Sequence, residues 1–105
     1  MTLTINILYK GKDSKKFAKE MTEKGIVDRI RAQKGNIKYE YYQSLERDDE
    51  ILLLDIWENQ EALDIHHQSP MMGEIMKLRE KYDVKMEVHK YQEIKGSNDD
   101  KYIRK

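Results

Sequence analysis

Leu3, Ile5, Ile7 and Tyr9 alternate with Thr2, Thr4, Asn6 and Leu8, a period of two that predicts a β-strand. The second face of this strand is small and polar rather than charged, as it would be if it lined a covered pocket. Asn6 stands out there, because a mid-strand amide that faces inward needs partners. Gly11-Lys12-Asp13 ends the strand, and Asp13 or Ser14 can cap a helix. Phe17, Ala18, Met21, Ile26, Val27 and Ile30 recur at helical spacing, so a helix is expected from Ser14 to about Gln33. Gly25 can kink or divide it, and Gly35 is a good stop.

A second strand is expected over Asn36–Gln43, with Ile37, Tyr39 and Tyr41 on one face. After the charged turn Glu46–Glu50, the run Ile51-Leu52-Leu53-Leu54-Asp55-Ile56-Trp57 is apolar on both faces, the mark of a central strand covered on both sides. Asp55 is the exception inside it, and a carboxylate there needs a partner or a rim position. Asn59 and Ser69 read as caps of two further helices, Pro70 standing at the first position of the second. Met72, Ile75, Met76 and Arg79 follow one face of that helix. Tyr82–Tyr91 reads as a last strand, Val84, Met86 and Val88 alternating with Lys85, Glu87 and His89.

The order β-α-β-β-α-β, with the second helix broken in two, predicts an α+β, ferredoxin-like fold: a four-stranded antiparallel sheet with helices on one face. Helices cover one side only, so the apolar second face of the central strand needs another cover. A second copy of the chain would supply it, which makes a homodimer the expected state.

Composition bounds the function. Length supports one domain, residues 1–94, followed by a polar tail, residues 95–105, in which Tyr102 and Ile103 could dock on a partner subunit. Charged residues make up 38% of the chain, against about 25% in an ordinary domain. The 20 basic and 20 acidic residues are interspersed, so there is no basic footprint for nucleic acid. The absence of cysteine excludes thiolate chemistry and disulfides. No run reaches the ~20 apolar residues of a membrane span and the N-terminus lacks a signal-peptide pattern, so a cytoplasmic protein with no membrane partner is expected.

Trp57-Glu58-Asn59, Glu61-Ala62-Leu63, a nine-residue step from Trp57 to His66, and Ser69-Pro70, preceded by Gly35 and the Tyr39/Tyr41 strand, together resemble the antibiotic biosynthesis monooxygenase domain family. The resemblance runs from about Leu3 to Tyr91. It implies a homodimer whose sheets face each other in an α+β barrel, with a pocket in each subunit between sheet and helices. It also implies one of several activities: cofactor-free oxidation of quinols or polyketide aromatics by oxygen, haem breakdown, or isomerisation of a phosphorylated sugar. Asn6 matches the haem-degrading branch, but His66 stands where that branch has tryptophan, and Met76 where it has the haem-ligating histidine. Haem is therefore not expected.

Cofactor-free oxygenation needs a base that turns a phenol or quinol into an electron-rich anion, donors for the developing oxyanion, and a dry pocket. His66 is the expected base and Asn6 the oxyanion donor. Trp57, Tyr41, Met72 and Met76 are the expected substrate wall, with a small aromatic and molecular oxygen as partners and no cofactor. His66 and His67 are adjacent on a helix and diverge by about 100°, so they cannot share a metal. Each residue has a plainer reading beside this one: His66 as a hydrogen-bonded core histidine, Trp57 and the methionines as packing. An isomerase or other proton-transfer enzyme in the same pocket, and a non-catalytic dimeric binding module, are the alternatives.

Overall fold

The computed structural model of the chain describes residues 2–94 and 98–104. Strand β1 (Leu3–Lys10) leads into helices α1 (Ser14–Glu23) and α2 (Ile26–Arg31) and strands β2 (Asn36–Gln43) and β3 (Glu50–Trp57). Helices α3 (Gln60–His67) and α4 (Met71–Lys81) and strand β4 (Lys85–Gln92) follow. The strands form one antiparallel sheet in the order β2-β3-β1-β4, the ferredoxin-like arrangement, with the most apolar strand, β3, in an interior position. Asn98–Tyr102 form a short 3-10 turn, while Lys95, Gly96 and Ser97 of the expected tail lie outside the described residues.

Alternation decides which face meets the helices. Ile5, Ile7 and Tyr9 of β1 and Leu53 and Trp57 of β3 form one buried cluster with Phe17, Met21, Ile26, Ile30, Leu63, Ile75 and Leu78 from all four helices. The other face carries Thr4, Asn6 and Leu8 beside Leu52, Leu54 and Ile56, all half-buried, and none of the four helices α1 to α4 among the described residues packs on it. Between α1 and α4, Glu20 accepts hydrogen bonds from Lys81 and Tyr82, which ties the two helices together outside the core.

Gly25 settles one alternative of the sequence reading, and the features after it depart from that reading. Gly25 takes the left-handed conformation (φ 75°) and divides the first helix in two, one of the two outcomes its position allowed. A register shift between Asn36 and Lys38 lifts Ile37 off the expected inward row and leaves it 53% exposed. The last strand starts at Lys85 rather than Tyr82, because α4 runs to Lys81 and Asp83 turns the chain at φ 49°. Ser69 does not cap α4: its hydroxyl donates to the His66 carbonyl at 2.7 Å, closing the end of α3, while Asn59 caps α3 as expected by accepting from the Ala62 N–H at 2.9 Å.

Candidate active site

With His66 as base and Asn6 as oxyanion donor or orienting group, both side chains must line one pocket. The sheet separates them. Asn6 shares its strand with Ile5 and Ile7, whose side chains go to the helices, so its own points to the helix-free face, opposite Leu54 on one side and His89 on the other. There its Oδ1 is buried without a hydrogen-bond partner among the described residues. Asn6 and His66 therefore cannot act on one substrate within a single subunit.

His66 sits on the helix side and is only 4% exposed. Its ring stacks on Trp57 at 4.9 Å between centroids, and its Nδ1 lies 2.6 Å from Gln33 Oε1. With Gln33 Oε1 as acceptor, Nδ1 carries the proton and Nε2 the lone pair. Burial, reinforced by His67 and Arg79, pushes the His66 pKa down to about 4. These are the marks of the plainer reading, a neutral histidine locked in the core. Gln33, the hydrogen-bond partner of His66, also lines a cleft of about 270 Å³ with Lys34, Glu58, Ala62 and Ile65. His67 is exposed, as the helical geometry implied.

The group with unused chemistry is Asp55. It lies on β3 facing the helices, cross-strand from Tyr39 and Ile5, and is 4% exposed. Its Oδ1 accepts from Trp57 Nε1 at 2.7 Å, and among the described residues no cation forms an ion pair with it. Burial of the uncompensated charge raises its pKa to about 7, the indole N–H acting in the opposite direction. Around it stand three tyrosines: Tyr9, Tyr39 and Tyr41, the last making edge contacts with Phe17 and Tyr39. Burial raises the pKa of all three phenols. The Tyr41 hydroxyl is buried and makes no hydrogen bond of ordinary geometry among the described residues, although the Tyr39 side chain stands near enough to act on it. From α4, Arg79 Nη2 donates to the Tyr9 hydroxyl at 3.1 Å.

The substrate wall expected from sequence is thus divided. Trp57 is fully buried and serves as the shared neighbour of Asp55 and His66, Tyr41 and Met72 are half-buried at the core, and Met76 is 59% exposed. Asp55, Tyr9, Tyr39, Gln33 and Arg79 were not singled out as site residues. Only Asp55 carried a signal, a lone carboxylate inside the most apolar run of the chain. Among the described residues no three histidine or carboxylate side chains come together at metal-binding distance, and no helix is long and apolar enough to cross a membrane.

A four-stranded antiparallel sheet with helices on one face is the fold on which the comparisons converge. The profile of the antibiotic biosynthesis monooxygenase family matches residues 7–78, and the chain belongs to that family. SnoaB, a cofactor-independent oxygenase from Streptomyces nogalater, superposes with a TM-score of 0.74 at 9% identity over 92% of this chain and 97% of its own. The Pseudomonas aeruginosa protein PA3566 gives a TM-score of 0.74 at 16% identity, covering 90% of this chain and 95% of that one. Rv0793 from Mycobacterium tuberculosis gives 0.70 at 17% identity over 93% and 100%. At these identities the structures share the fold. Among curated proteins, sll1783 of Synechocystis, itself uncharacterised, is 31% identical over 51 residues, which span 49% of this chain but only 35% of that protein.

Proposed function

We propose that this chain is a cofactor-independent monooxygenase acting on a small hydroxylated, quinol-like aromatic, with Asp55 as the base. The observation that carries the reading is the buried Asp55 carboxyl, without an ion-pair partner among the described residues, within the tyrosine cluster on the helix side of a sheet of this family. In the overall reaction the aromatic supplies four electrons. One atom of oxygen forms a new carbon–oxygen bond, and the other leaves as water with the two hydrogens the substrate gives up. What the protein must provide is the first proton transfer, since the anion and not the phenol reacts with oxygen.

Proton arithmetic separates the two candidate bases. A phenol of pKa about 10 gives its proton to His66, held near 4, against some six units, about 8 kcal/mol. Transfer to Asp55, near 7, spans about three units, about 4 kcal/mol, a gap that a hydrogen bond from Tyr41 to the developing phenolate narrows further. In this reading His66 keeps Trp57 in place, and Trp57 in turn holds Asp55 by its N–H. Oxygen uptake with a panel of quinols tests it. Wild type and His66→Gln consume oxygen above background while Asp55→Asn loses at least about a hundredfold. Equal rates for Asp55→Asn would remove Asp55 from the mechanism, and the same turnover under argon would favour an isomerase.

A homodimer belongs to the same proposal. Leu8, Leu52, Leu54 and Ile56 form a half-buried apolar stripe on the helix-free face, and the unpartnered Asn6 Oδ1 lies within it. A second sheet seated face to face would cover the stripe and offer that oxygen a donor.

A further inference from the structure

Gln33 is the outer end of a chain of contacts that finishes on Asp55. Its Oε1 lies 2.6 Å from His66 Nδ1, the His66 ring stacks on Trp57 with 26° between their planes, and Trp57 Nε1 donates to Asp55 Oδ1 at 2.7 Å. Asp55, Trp57 and His66 are buried, whereas Gln33 is half-buried and borders the cleft with Lys34, Glu58, Glu61 and Ile65. It is the member of the chain that can be altered without opening the core.

Local structure explains why Gln33 meets the histidine. It stands just past the end of α2, its N–H donating to the Ile30 carbonyl at 3.0 Å and its carbonyl accepting from the Asn36 N–H at 3.1 Å. The turn then passes through Gly35 at φ 88°, where the backbone lies so close to α3 that an added Cβ would stand 2.5 Å from the Ala62 Cβ. His66 follows Ala62 by four positions and so shares its helix face, one turn further along. The His66 backbone is held too, since its carbonyl accepts from the Ser69 hydroxyl at 2.7 Å and from the Ser69 N–H at 3.0 Å.

Among the described residues Gln33 is the sole hydrogen-bond partner of the imidazole. An uncharged amide oxygen accepts the Nδ1 proton and so selects one tautomer, yet it supports the imidazolium less than a carboxylate would. Without that acceptor the ring could turn about its terminal torsion and carry its proton on either nitrogen.

We propose that Gln33 is a positioning residue of the Asp55 site: its amide oxygen holds His66 in the Nδ1–H form and fixes the ring on Trp57, so that the indole N–H stays on the Asp55 carboxyl. The consequence for turnover rests on the oxygenase reading; the positioning itself does not.

Nitrogen-15 and carbon-13 resonances of the full chain test the proposal without turnover. The wild-type His66 proton is expected on Nδ1. Gln33→Leu should populate both tautomers, speed hydrogen exchange of the Trp57 indole N–H at least about threefold, and raise the Asp55 titration midpoint as Trp57→Phe does. In the Trp57→Phe background the same substitution should leave that midpoint in place, because the path runs through the indole. Gln33→Glu keeps the acceptor and adds a charge. It should preserve the tautomer and raise the His66 midpoint by at least about one unit, against the lowering by His67 and Arg79 and with Lys34, Glu58 and Glu61 the other charges at the cleft. Oxygen uptake at saturating quinol should fall about three- to tenfold in Gln33→Leu, with KM unchanged. A wild-type ring protonated on Nε2, or unmoved indole and Asp55 signals in Gln33→Leu, would overturn the inference. So would an unmoved His66 midpoint in Gln33→Glu, which decides the matter even where Gln33→Leu fails to fold. The expected shifts in a protein inert to every quinol would uphold the positioning role and sink the oxygenase reading instead.

Discussion

Asp55 and His66 make opposite contributions to the pH dependence of stability, and Asp55→Asn exposes them. The native pKa of Asp55 is raised from 3.8 to about 7, so the folded state holds a proton that the unfolded state has lost. Its contribution is full below about pH 4 and is lost as pH rises through 7, some three units, or about 4 kcal/mol in all. His66 is lowered from 6.5 to about 4, so its neutral form is favoured on folding, and stability is lost as pH falls through that window, about 3 kcal/mol. His67, also lowered, acts in the same direction as His66. Between pH 4.5 and 6.5 the histidine terms oppose the Asp55 term in the wild type, and a net loss is expected between about 6.5 and 7.5. Asp55→Asn, whose amide oxygen can still accept from Trp57 Nε1, removes one of the opposing terms. Its stability should rise from pH 4.5 to 6.5 and then stay level. His66→Gln should shift the profile the other way, its stability falling with pH relative to the wild type between 4.5 and 6.5. Urea unfolding midpoints at half-unit pH intervals read this directly. A variant Asp55→Asn with the wild-type profile would refute the buried, proton-holding carboxyl, whatever its effect on absolute stability.

Three further outcomes follow from individual contacts. Gly35→Ala should cost about 2–4 kcal/mol by thermal or urea unfolding, since its φ is 88° and an added Cβ would stand 2.5 Å from the Ala62 Cβ; Gly73→Ala, in open space on α4, should instead stabilise by about 0.5–1 kcal/mol. Trp57→Phe keeps a ring against His66 but removes the N–H that lowers the Asp55 pKa, so the carboxyl carbon-13 resonance of Asp55 should titrate above its wild-type midpoint; an unmoved midpoint would show that the indole bond does not hold the carboxylate. Leu54→Glu, in the apolar stripe opposite the helices, should convert a dimer of twice 12.6 kDa to a monomer by light scattering, and a wild type already monomeric would remove the face-to-face sheet arrangement.

How far the sequence could be read depended on whether a property is local. Strand alternation in Leu3–Tyr9, the apolar run before Trp57, the Asn59 cap and the break at Gly25 are set within a few residues, and each appears where the pattern placed it. The pairing of Asn6 with His66 failed for a reason present in the same alternation. Ile5, Ile7 and Tyr9 form the helix-facing row, which sends Asn6 to the other side. Asp55 was visible as an oddity, but that no cation among the described residues pairs with it is a tertiary fact, decided by which charges the helices bring to β3. Arg79 was read as one member of a helical face. Its solitary hydrogen bond to a tyrosine 70 positions away and the uncovered Met86 and Val88 depend on where α4 lies over the sheet, which no local pattern records.

The central claim, that this chain and molecular oxygen suffice for oxygenation, is tested most directly by isotope labelling. Chelator-treated protein without added flavin, haem or metal is mixed with a quinol under oxygen-18 gas, and the product is weighed by mass spectrometry. One labelled atom per product molecule is expected, with none above the buffer rate for Asp55→Asn. Product that forms unlabelled, forms equally under argon, or appears only when a cofactor is restored would contradict the account.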